Sequence, residues 1–509
     1  MARQLLSKPA VCSLALSNSR ALASVAPAQT ATVHQNKDKS LKDMPGTTSK
    51  LAQLWWGYKN RSRMHEAQME LEMKYGQMWR SSFGFNDNVN VAHVSLAEQL
   101  LRQEGKYPKR MEVNNGMQLY RDLRGYSYGL INHTGPEWRH LRTAVSKRIM
   151  RPKEVPRYGD SMNEVVTDMI ARFKYLRDSS GEGKTVPDLT NELYKWAMES
   201  IATVLFDTRL GCLEREVPEK TQQFIDSIAT MFKTAFLISA LKPWMLTYFK
   251  PRVWQRHVEA WDTIFGVAHE NIDRKVLDIN ARLSRGEELD GSFLTYMLTG
   301  TDVTKKDLYA TVTELLLAGV DTTSNTMVWT LYELARHPEL QDRLHREVTG
   351  VVSAGQTPTV EDVKNMPLLK NVIKEILRVY PVLPANGRVL DKDIVLGGYN
   401  IPKGTQFAIL HYNMTRDPEA FEDPERFNPD RWTRMGTEKV NTFSSVPFGF
   451  GPRQCAGRRL AEMEMYLVLA RLVQTFEVRQ LTPGETVRPV TRALLVPGDP
   501  VHLEFMDRP

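Results

Sequence analysis

The hydrophobic positions of this chain repeat at a helical period through most of its length. From about residue 40 to the end, the helical windows are separated by short breaks at Gly and Pro, and no repeat or low-complexity linker divides them. The clearest helix is predicted at 305–337, where Thr304 and Asp307 form a capping box at the start. Pro338 ends it. Its middle is apolar on every face, which predicts a helix through the centre of a large domain.

The C-terminal third combines helices with other elements. A second helix is predicted between Pro367 and Pro381, and residues 394–402 predict a hairpin that turns at Gly397-Gly398. About 50 residues with little periodicity follow, dense in Pro, Asp, Arg and Phe, before a last helix at 457–475. Because a long stretch without structure is unusual in a compact domain, we expect this stretch to be functional.

The composition favours a helical protein. Leu, Met and Glu outweigh the β-branched residues in most windows of the 509-residue chain, and its apolar (42%) and charged (25%) fractions are ordinary for a globular protein. We therefore predict a mainly α fold with small β-sheets, in a single large domain at 38–509.

The first 37 residues have the composition of a mitochondrial transit peptide. They contain no Asp or Glu, are rich in Ser and Ala, and include Arg3, Lys8 and Arg20. A disordered tail of accidental bias is the alternative. No apolar run there approaches the length of a membrane span, so an N-terminal anchor is not expected. Without those three basic residues the net charge of +7 falls to about +4, a weak bias that does not indicate a nucleic-acid partner.

Of the three cysteines, Cys455 has the most unusual surroundings. Glycines at 449, 451 and 457 let the backbone bend tightly and approach a flat ligand, and a helix is predicted to begin directly after the cysteine. Free amides at a helix start favour the thiolate, and a thiolate that ligates haem iron donates electron density that promotes O–O cleavage. A buried cysteine in a Gly-rich loop is the alternative. The pattern Phe-Gly-x-Gly-x-Arg-x-Cys-x-Gly is far more specific than that alternative requires.

This segment resembles the haem-binding loop of the cytochrome P-450 superfamily, and other motifs from about residue 130 to 460 agree with it in kind and in order. The resemblance implies a haem-thiolate monooxygenase domain, with haem b as cofactor and Cys455 as the metal ligand. A haem-thiolate isomerase that needs no external electrons, and a haem sensor without turnover, are the competing classes.

On the long helix, Ala318-Gly319-Val320-Asp321-Thr322-Thr323 resembles the family's oxygen-activation motif. Gly319 is expected to leave room for dioxygen and a local break in the backbone hydrogen bonds, to which the Thr322 hydroxyl bonds backward. Thr322 and Asp321 are the predicted catalytic pair, because together they can deliver protons. A polar helix face is the alternative.

Two further sets of residues are assigned through the resemblance. Glu375 and Arg378 lie three apart on one helix, and the family pairs them with a second arginine to lock the haem-side core. Arg426 and Arg431 are both candidates for that arginine. Arg426 matches the family's letters better, but Arg431 has the family's spacing to the cysteine and is the one predicted. The residues that match the family's propionate ligands are Trp138, Arg142, Arg388 and Arg453.

The chain has no flavin or nicotinamide fingerprint, so a separate electron donor is implied. Lys370, Lys374, Arg458 and Arg459 are predicted to form a basic patch near the cysteine, and they resemble the mitochondrial branch of the superfamily. That branch takes electrons from an acidic [2Fe-2S] ferredoxin with its reductase, and opposite charges steer such docking. A solvated helix face is the alternative for the lysines.

Within that branch the chain is similar to the sterol side-chain hydroxylases (sterol 26-hydroxylases, also called sterol 27-hydroxylases) and the vitamin D hydroxylases. The runs at 318–326, 366–370 and 458–464 carry this similarity. It implies a sterol or another lipophilic substrate, with a vitamin D hydroxylase or a retinoid desaturase as alternatives.

The resemblance also suggests where a lipid would bind and enter. Candidates for the substrate wall are Val382–Ala385 and Leu494-Leu495, and core packing explains them equally well. The apolar, aromatic segment 235–251 is predicted to contact the membrane interface, with core packing as the alternative. We expect peripheral association with the matrix side of the inner mitochondrial membrane.

Overall fold

The computed structural model describes residues 39–508 except 48, 84–85, 112–114, 182, 240, 290, 354 and 434–439. The predicted transit peptide, residues 1–37, lies outside the described residues. Lys39–Pro509 form one compact unit.

Helices make up most of the described chain. The α-helices are α1 (Lys50–Lys59), α2 (Met64–Tyr75), α3 (Val94–Arg102), α4 (Asn115–Arg124), α5 (Gly129–Asn132), α6 (Gly135–Ile149), α7 (Gly159–Ser179), α8 (Leu189–Phe206), α9 (Glu219–Ser239), α10 (Pro243–Phe249), α11 (Arg252–Ser284), α12 (Phe293–Thr299), α13 (Lys305–Arg336), α14 (Pro338–Val351), α15 (Pro367–Val379), α16 (His411–Met414) and α17 (Arg458–Thr475). Short 3₁₀ helices lie at Leu41–Asp43, Val155–Tyr158, Asp362–Asn365 and Pro429–Trp432. The prediction of a mainly α fold with small sheets is confirmed.

The strands form four small sheets. They are β1 (Lys39–Ser40), β2 (Met78–Phe83), β3 (Asn86–Val91), β4 (Asn386–Val389), β5 (Ile394–Leu396), β6 (Tyr399–Ile401), β7 (Gln406–Ile409), β8 (Phe476–Gln480), β9 (Pro489–Arg492), β10 (Leu494–Pro497) and β11 (Leu503–Asp507). The largest sheet has the order β2-β3-β7-β4, parallel only between β3 and β7, and a second has the order β1-β6-β5. The pairs β9-β10 and β8-β11 are antiparallel.

The long helix α13 begins where its capping box predicts. The Thr304 hydroxyl accepts from the Asp307 amide at 3.1 Å and donates to its carboxylate at 2.7 Å. Pro338 starts α14 directly after the end of α13. Most residues of α13 are buried, in a core that it shares with α7, α8, α11, α15 and α17. This arrangement agrees with the prediction of a central helix.

The predicted hairpin is confirmed, because β5 and β6 pair antiparallel around Gly397 and Gly398, which both have positive φ. The stretch after it contains more structure than its pattern predicts. Strand β7 lies between β3 and β4 in the largest sheet. Its four residues are too few to show a period of two.

None of the described helices is by itself both long and apolar enough to cross a membrane. The pair α9 and α10, bent by 113° where they meet, has the length and composition together.

Candidate active site

A cavity of about 2830 Å³ opens to the protein surface and includes the space between α13 and the loop that carries Cys455. Phe448, Gly449 and Arg453 of the loop border it, and so do Ala318 and Thr322 of α13. The sulfur and the polar centre of α13 therefore face one internal space.

The cysteine loop is held by backbone hydrogen bonds. The Cys455 amide donates to the Phe448 carbonyl at 2.8 Å, and the Gly449 amide donates to the Val446 carbonyl at 2.8 Å. Gly451 has a φ of +72°, and a Cβ there would lie 2.7 Å from an Oε2 atom of Glu104. The positive φ favours glycine at this turn, and the absent side chain leaves room for the Glu104 carboxylate.

The groups around the Cys455 sulfur shift its pKa in opposite directions. Burial raises the pKa of the Cys455 thiol, while the Gly457 amide and the charges of Arg142 and Arg110 lower it. The groups that lower it stabilise a thiolate, which is the form that ligates iron.

On α13, the Thr322 hydroxyl donates to the Ala318 carbonyl at 2.8 Å, and Thr323 does the same to Gly319. The helix continues through these residues, so the predicted break is wrong. The hydroxyls bond to carbonyls without opening the helix. Gly319 borders the cavity and also makes room for α8, since a Cβ there would lie 2.9 Å from the Ile201 side chain.

Asp321 lies next to Thr322 at the cavity. Its Oδ2 atom is buried and has no hydrogen-bond partner among the described residues. Burial raises the pKa of Asp321 to about 7, so this carboxyl can take up and release a proton near neutral pH.

Four arginines converge on the cavity: Arg110, Arg142, Arg388 and Arg453. Arg388 forms an ion pair with the carboxylate of Glu104. Arg110 borders the cavity, where it is exposed, and within the described chain it has no ion pair. Burial lowers the pKa of Arg142 to about 10 and, with the other three arginines, that of Arg453 to about 9.

This excess of positive charge around the cavity is a physical test of the cofactor. One carboxylate, Glu104, cannot neutralise four guanidinium groups, and buried charges are costly unless they are paired. Haem b carries two propionates, and arginine binds carboxylates well. The four arginines, the Cys455 sulfur and the volume of the cavity therefore fit a haem.

Arg453 connects the arginine cluster to Trp138 and to the segments around α5. The Arg453 guanidinium lies 3.9 Å from the centre of the Trp138 ring. It also donates to the carbonyls of Pro108 (2.8 Å) and His133 (2.7 Å). Arg453 thus joins the cysteine loop to the segments before and after α5.

Glu375 of α15 is the centre of a buried network. Its carboxylate accepts from Arg378 at 2.8 and 2.9 Å, from Arg431 at 2.9 Å and from the Trp432 indole at 2.8 Å. Of the two candidate arginines, Arg431 brings its side chain to Glu375, whereas Arg426 offers its carbonyl to Arg378 at 3.1 Å. The network joins α15 to the segment that leads into the cysteine loop.

Comparison with known proteins decides the family. The family model described as Cytochrome P450 matches residues 45–505. The chain belongs to the cytochrome P450 family.

Three relatives show its branch. The chain is 42% identical to "Cytochrome P450 27C1" of Danio rerio over 475 residues, covering 92% of this chain and 87% of the relative. It is 43% identical to "Sterol 26-hydroxylase, mitochondrial" of Rattus norvegicus (92% and 89% covered). It is 41% identical to "25-hydroxyvitamin D-1 alpha hydroxylase, mitochondrial" of Homo sapiens (92% and 93% covered). This is the mitochondrial branch of the cytochrome P450 family.

The chain is therefore a P450 monooxygenase, an oxidoreductase that incorporates one oxygen atom, and its cofactor is a haem with thiolate-ligated iron. It acts on a lipophilic substrate with electrons from a redox partner. These statements agree with the sequence-based predictions of family, enzyme class and cofactor.

The residues of the predicted docking patch differ in exposure. Lys374 and Arg459 are exposed, and Arg458 is exposed but bonded to Glu462 at 3.0 Å. Lys370 is half-buried, and its ammonium donates to the Lys364 carbonyl at 2.9 Å. Lys374 and Arg459 are thus the members that present the most accessible charge.

The predicted substrate walls lie at the cavity with one exception. Val382–Ala385 and Leu494 border it. Leu495, the next residue of β10, is fully buried in the protein instead. Successive side chains of a strand point to opposite faces, so only one of the pair can face the cavity.

Arg110 is the residue that sequence reasoning missed. It lies in an irregular segment, Tyr107-Pro-Lys-Arg110, without helical or strand period. The available signal was a proline followed by two basic residues. Surface loops contain the same pattern, so it does not indicate a cofactor site.

Proposed function

We propose that this P450 hydroxylates the side chain of a sterol, at the terminal carbon, with electrons from a [2Fe-2S] ferredoxin and its reductase. The observation that carries this proposal is the cavity, in which the Cys455 sulfur and Asp321-Thr322 meet apolar walls such as Leu383 and Leu494. Identity of 43% to a sterol 26-hydroxylase supports the choice of substrate class.

In this proposal, Cys455 ligates the haem iron, and Arg110, Arg142, Arg388 and Arg453 bind the propionates. When bound, the haem activates dioxygen, so that one atom enters a C–H bond and the other leaves as water. Thr322 presents its hydroxyl to the reacting site, and Asp321 passes protons to it from the cavity. Glu375, Arg378 and Arg431 hold the haem-side core.

Electron transfer is proposed to use the patch of Lys370, Lys374, Arg458 and Arg459. Lys374 directly precedes Glu375 on α15, and Arg458 and Arg459 begin α17 just after the cysteine loop. A donor docked on Arg458 and Arg459 would contact the start of α17, which follows the cysteine loop directly. Positive charge on this surface favours an acidic partner.

The location proposed is the matrix side of the inner mitochondrial membrane. Residues 1–37 serve as the transit peptide and residues 38–509 as the enzyme. On α10, the side chains of Trp244, Tyr248 and Phe249 are 57%, 79% and 63% exposed. Exposed aromatic residues on a short helix favour the membrane interface, from which a lipid could enter.

The test is turnover of the holoenzyme with ferredoxin and reductase on cholesterol, 5β-cholestane triol, vitamin D and retinol, with products identified by mass spectrometry. Hydroxylation of the terminal side-chain carbon of the sterols is expected. Activity only on retinol or only on the vitamin would overturn the sterol assignment, and leave the haem chemistry in place.

A further inference from the structure

A buried ion pair connects α4 to the central helix α13. Nη2 of Arg121, on α4, lies 2.7 Å from Oε1 of Glu314, on α13, and the two side chains are 0% and 1% exposed. A buried charge without a partner is costly, so each of the two side chains depends on the other for its charge to be neutralised.

Both side chains of the pair also bind the backbone of the segment between α4 and α6. The Glu314 carboxylate accepts from the Ile131 amide at 2.8 Å. The Arg121 guanidinium donates to the carbonyls of Ser127, at 3.1 Å, and of Tyr128. These hydrogen bonds fix the segment against α13.

Gly129 allows the segment to approach the ion pair closely. Its φ is +64°, and a Cβ there would lie 2.6 Å from Oε2 of Glu314. A larger residue would therefore push the segment away from the carboxylate. The approach of the backbone to Glu314 thus depends on the absence of a side chain at this position.

The segment forms the cavity wall next to the predicted catalytic residues. Leu130 and Ile131 border the cavity, as do Ala318 and Thr322 of α13. Glu314 lies four residues, hence about 6 Å, before Ala318 on the same face of the helix. The ion pair thus holds Leu130 and Ile131 about one helical turn from the part of α13 that faces the reacting site.

We propose that Arg121 and Glu314 are positioning residues that determine which carbon of the substrate is oxidised. They act through Leu130 and Ile131, whose side chains limit how the substrate can lie in the cavity. Because a bond reacts only when it is held in a narrow range of positions, a small displacement of this wall changes which C–H bond is presented. The inference rests on the proposed function, since it concerns the carbon at which a sterol is hydroxylated.

The test removes both charges together, because the loss of only one leaves a buried charge without a partner and destabilises the fold. Arg121→Met/Glu314→Leu should retain the fold and the bound haem, while the segment loses its anchor. The holoenzyme is supplied with cholesterol, ferredoxin and reductase. The ratio of product hydroxylated at the terminal side-chain carbon to products hydroxylated elsewhere should fall roughly 3- to 10-fold. Gly129→Ala should lower the same ratio, because it displaces the segment and leaves both charges in place.

The matched control is Arg177→Met/Asp507→Asn. It removes both charges of an ion pair (3.0 Å) between α7 and β11, neither residue of which lines the cavity. Its product ratio should equal that of the wild type, since a loss of stability alone lowers total turnover without changing the ratio. Hydrogen exchange of the amides at 127–131 should be faster in the double variant and in Gly129→Ala than in the wild type, and unchanged in the control.

The outcomes separate the two proposals. An unchanged product ratio in the folded Arg121→Met/Glu314→Leu holoenzyme would overturn the positioning role and leave the sterol function intact. If that variant binds no haem, the ratio in Gly129→Ala decides in the same way. Absence of sterol hydroxylation by the wild type would count against the sterol function. The product ratio would then be measured on vitamin D or retinol, whichever the wild type oxidises.

Discussion

At the scale of single residues, the Cys455 sulfur determines the spectroscopic identity of the haem. Its amide is anchored to Phe448, and the positive charges of Arg142 and Arg110 stabilise the thiolate form. A serine has nearly the same shape, so the loop should survive the exchange while the donor changes from sulfur to oxygen.

Cys455→Ser is therefore expected to retain the fold and lose the absorption band that a thiolate gives to the reduced carbonyl complex. The measurement is the carbon monoxide difference spectrum of the purified variant. Cys212→Ser, at a buried cysteine of the core, is the control and should keep the band. Persistence of the band in Cys455→Ser would contradict the ligand assignment.

The raised pKa of Asp321 has a consequence for stability. Its carboxyl keeps its proton up to about pH 7 in the folded protein, whereas the ordinary pKa is 3.8. Between those values the folded state binds more protons than the unfolded state, so rising pH lowers the free energy of unfolding.

Asp321→Asn removes the cost of burying an ionisable carboxyl. The variant should therefore be more stable than the wild type by roughly 1–4 kcal/mol above pH 7, and the difference should vanish below about pH 4. Thermal unfolding of both holoenzymes over this pH range measures it. Asp430→Asn should show the opposite trend, because bonds from Arg343 lower the pKa of Asp430. Asp430→Asn should be less stable than the wild type at neutral pH, and this difference in stability should disappear in acid. A pH-independent difference for Asp321→Asn would contradict the account.

Sequence reasoning reached most of the residues around Cys455 and missed those that only packing reveals. Arg142 and Arg453 stand in recognisable patterns, whereas Arg388 was assigned without a tight motif. Arg110 has no pattern, and its role follows from its place at the cavity beside three other arginines. Gly319 was read as space for oxygen, but its missing side chain also admits Ile201, and no single sequence encodes which helix will pack there.

At the scale of elements, the Glu375 network decides how α15 joins the cysteine loop. Arg378 and Arg431 are buried with this one carboxylate between them. Removing its charge leaves two buried guanidinium groups uncompensated, at a cost of about 3–5 kcal/mol.

Glu375→Gln should accordingly yield little folded holoenzyme, with a lower unfolding temperature and less bound haem per chain. Haem content and thermal unfolding measure the effect. Glu361→Gln is the control, since that exposed glutamate pairs with Lys364 on the surface and such pairs contribute little. Equal stability of the two variants would refute the proposed lock.

Elements with local sequence signals could be predicted, and elements that depend on distant partners could not. Helix α13 carries a capping box, a long period and a proline after its end, so its bounds follow from local signals. Strand β7 is only four residues long, and its place between β3 and β4 depends on a parallel partner more than 300 residues earlier in the chain. Such long-range pairing leaves no local pattern.

At the scale of the whole molecule, the proposed ferredoxin surface makes turnover depend on salt. Lys374→Glu reverses an exposed charge beside the haem-side core. The KM for ferredoxin should rise several-fold at low ionic strength, with a weaker salt dependence than in the wild type, because screening removes long-range attraction.

Steady-state kinetics at several salt concentrations test this expectation. Lys59→Glu, an exposed lysine of α1, carries the same charge change and should leave the KM unaltered. An equal rise in both variants would indicate an effect of net charge and not of a docking site.

The four arginines around the cavity also bear on how much of this protein a cell contains. Without the two propionates, the guanidinium groups repel one another around the cavity, and the folded chain lacks its strongest neutralising ligand. Because a ligand that binds only the folded state stabilises it by mass action, haem supply acts on the lifetime of the chain as well as on its activity. Cells short of haem would then lose the protein itself to proteolysis, and enzyme abundance would follow cofactor synthesis even at constant transcription.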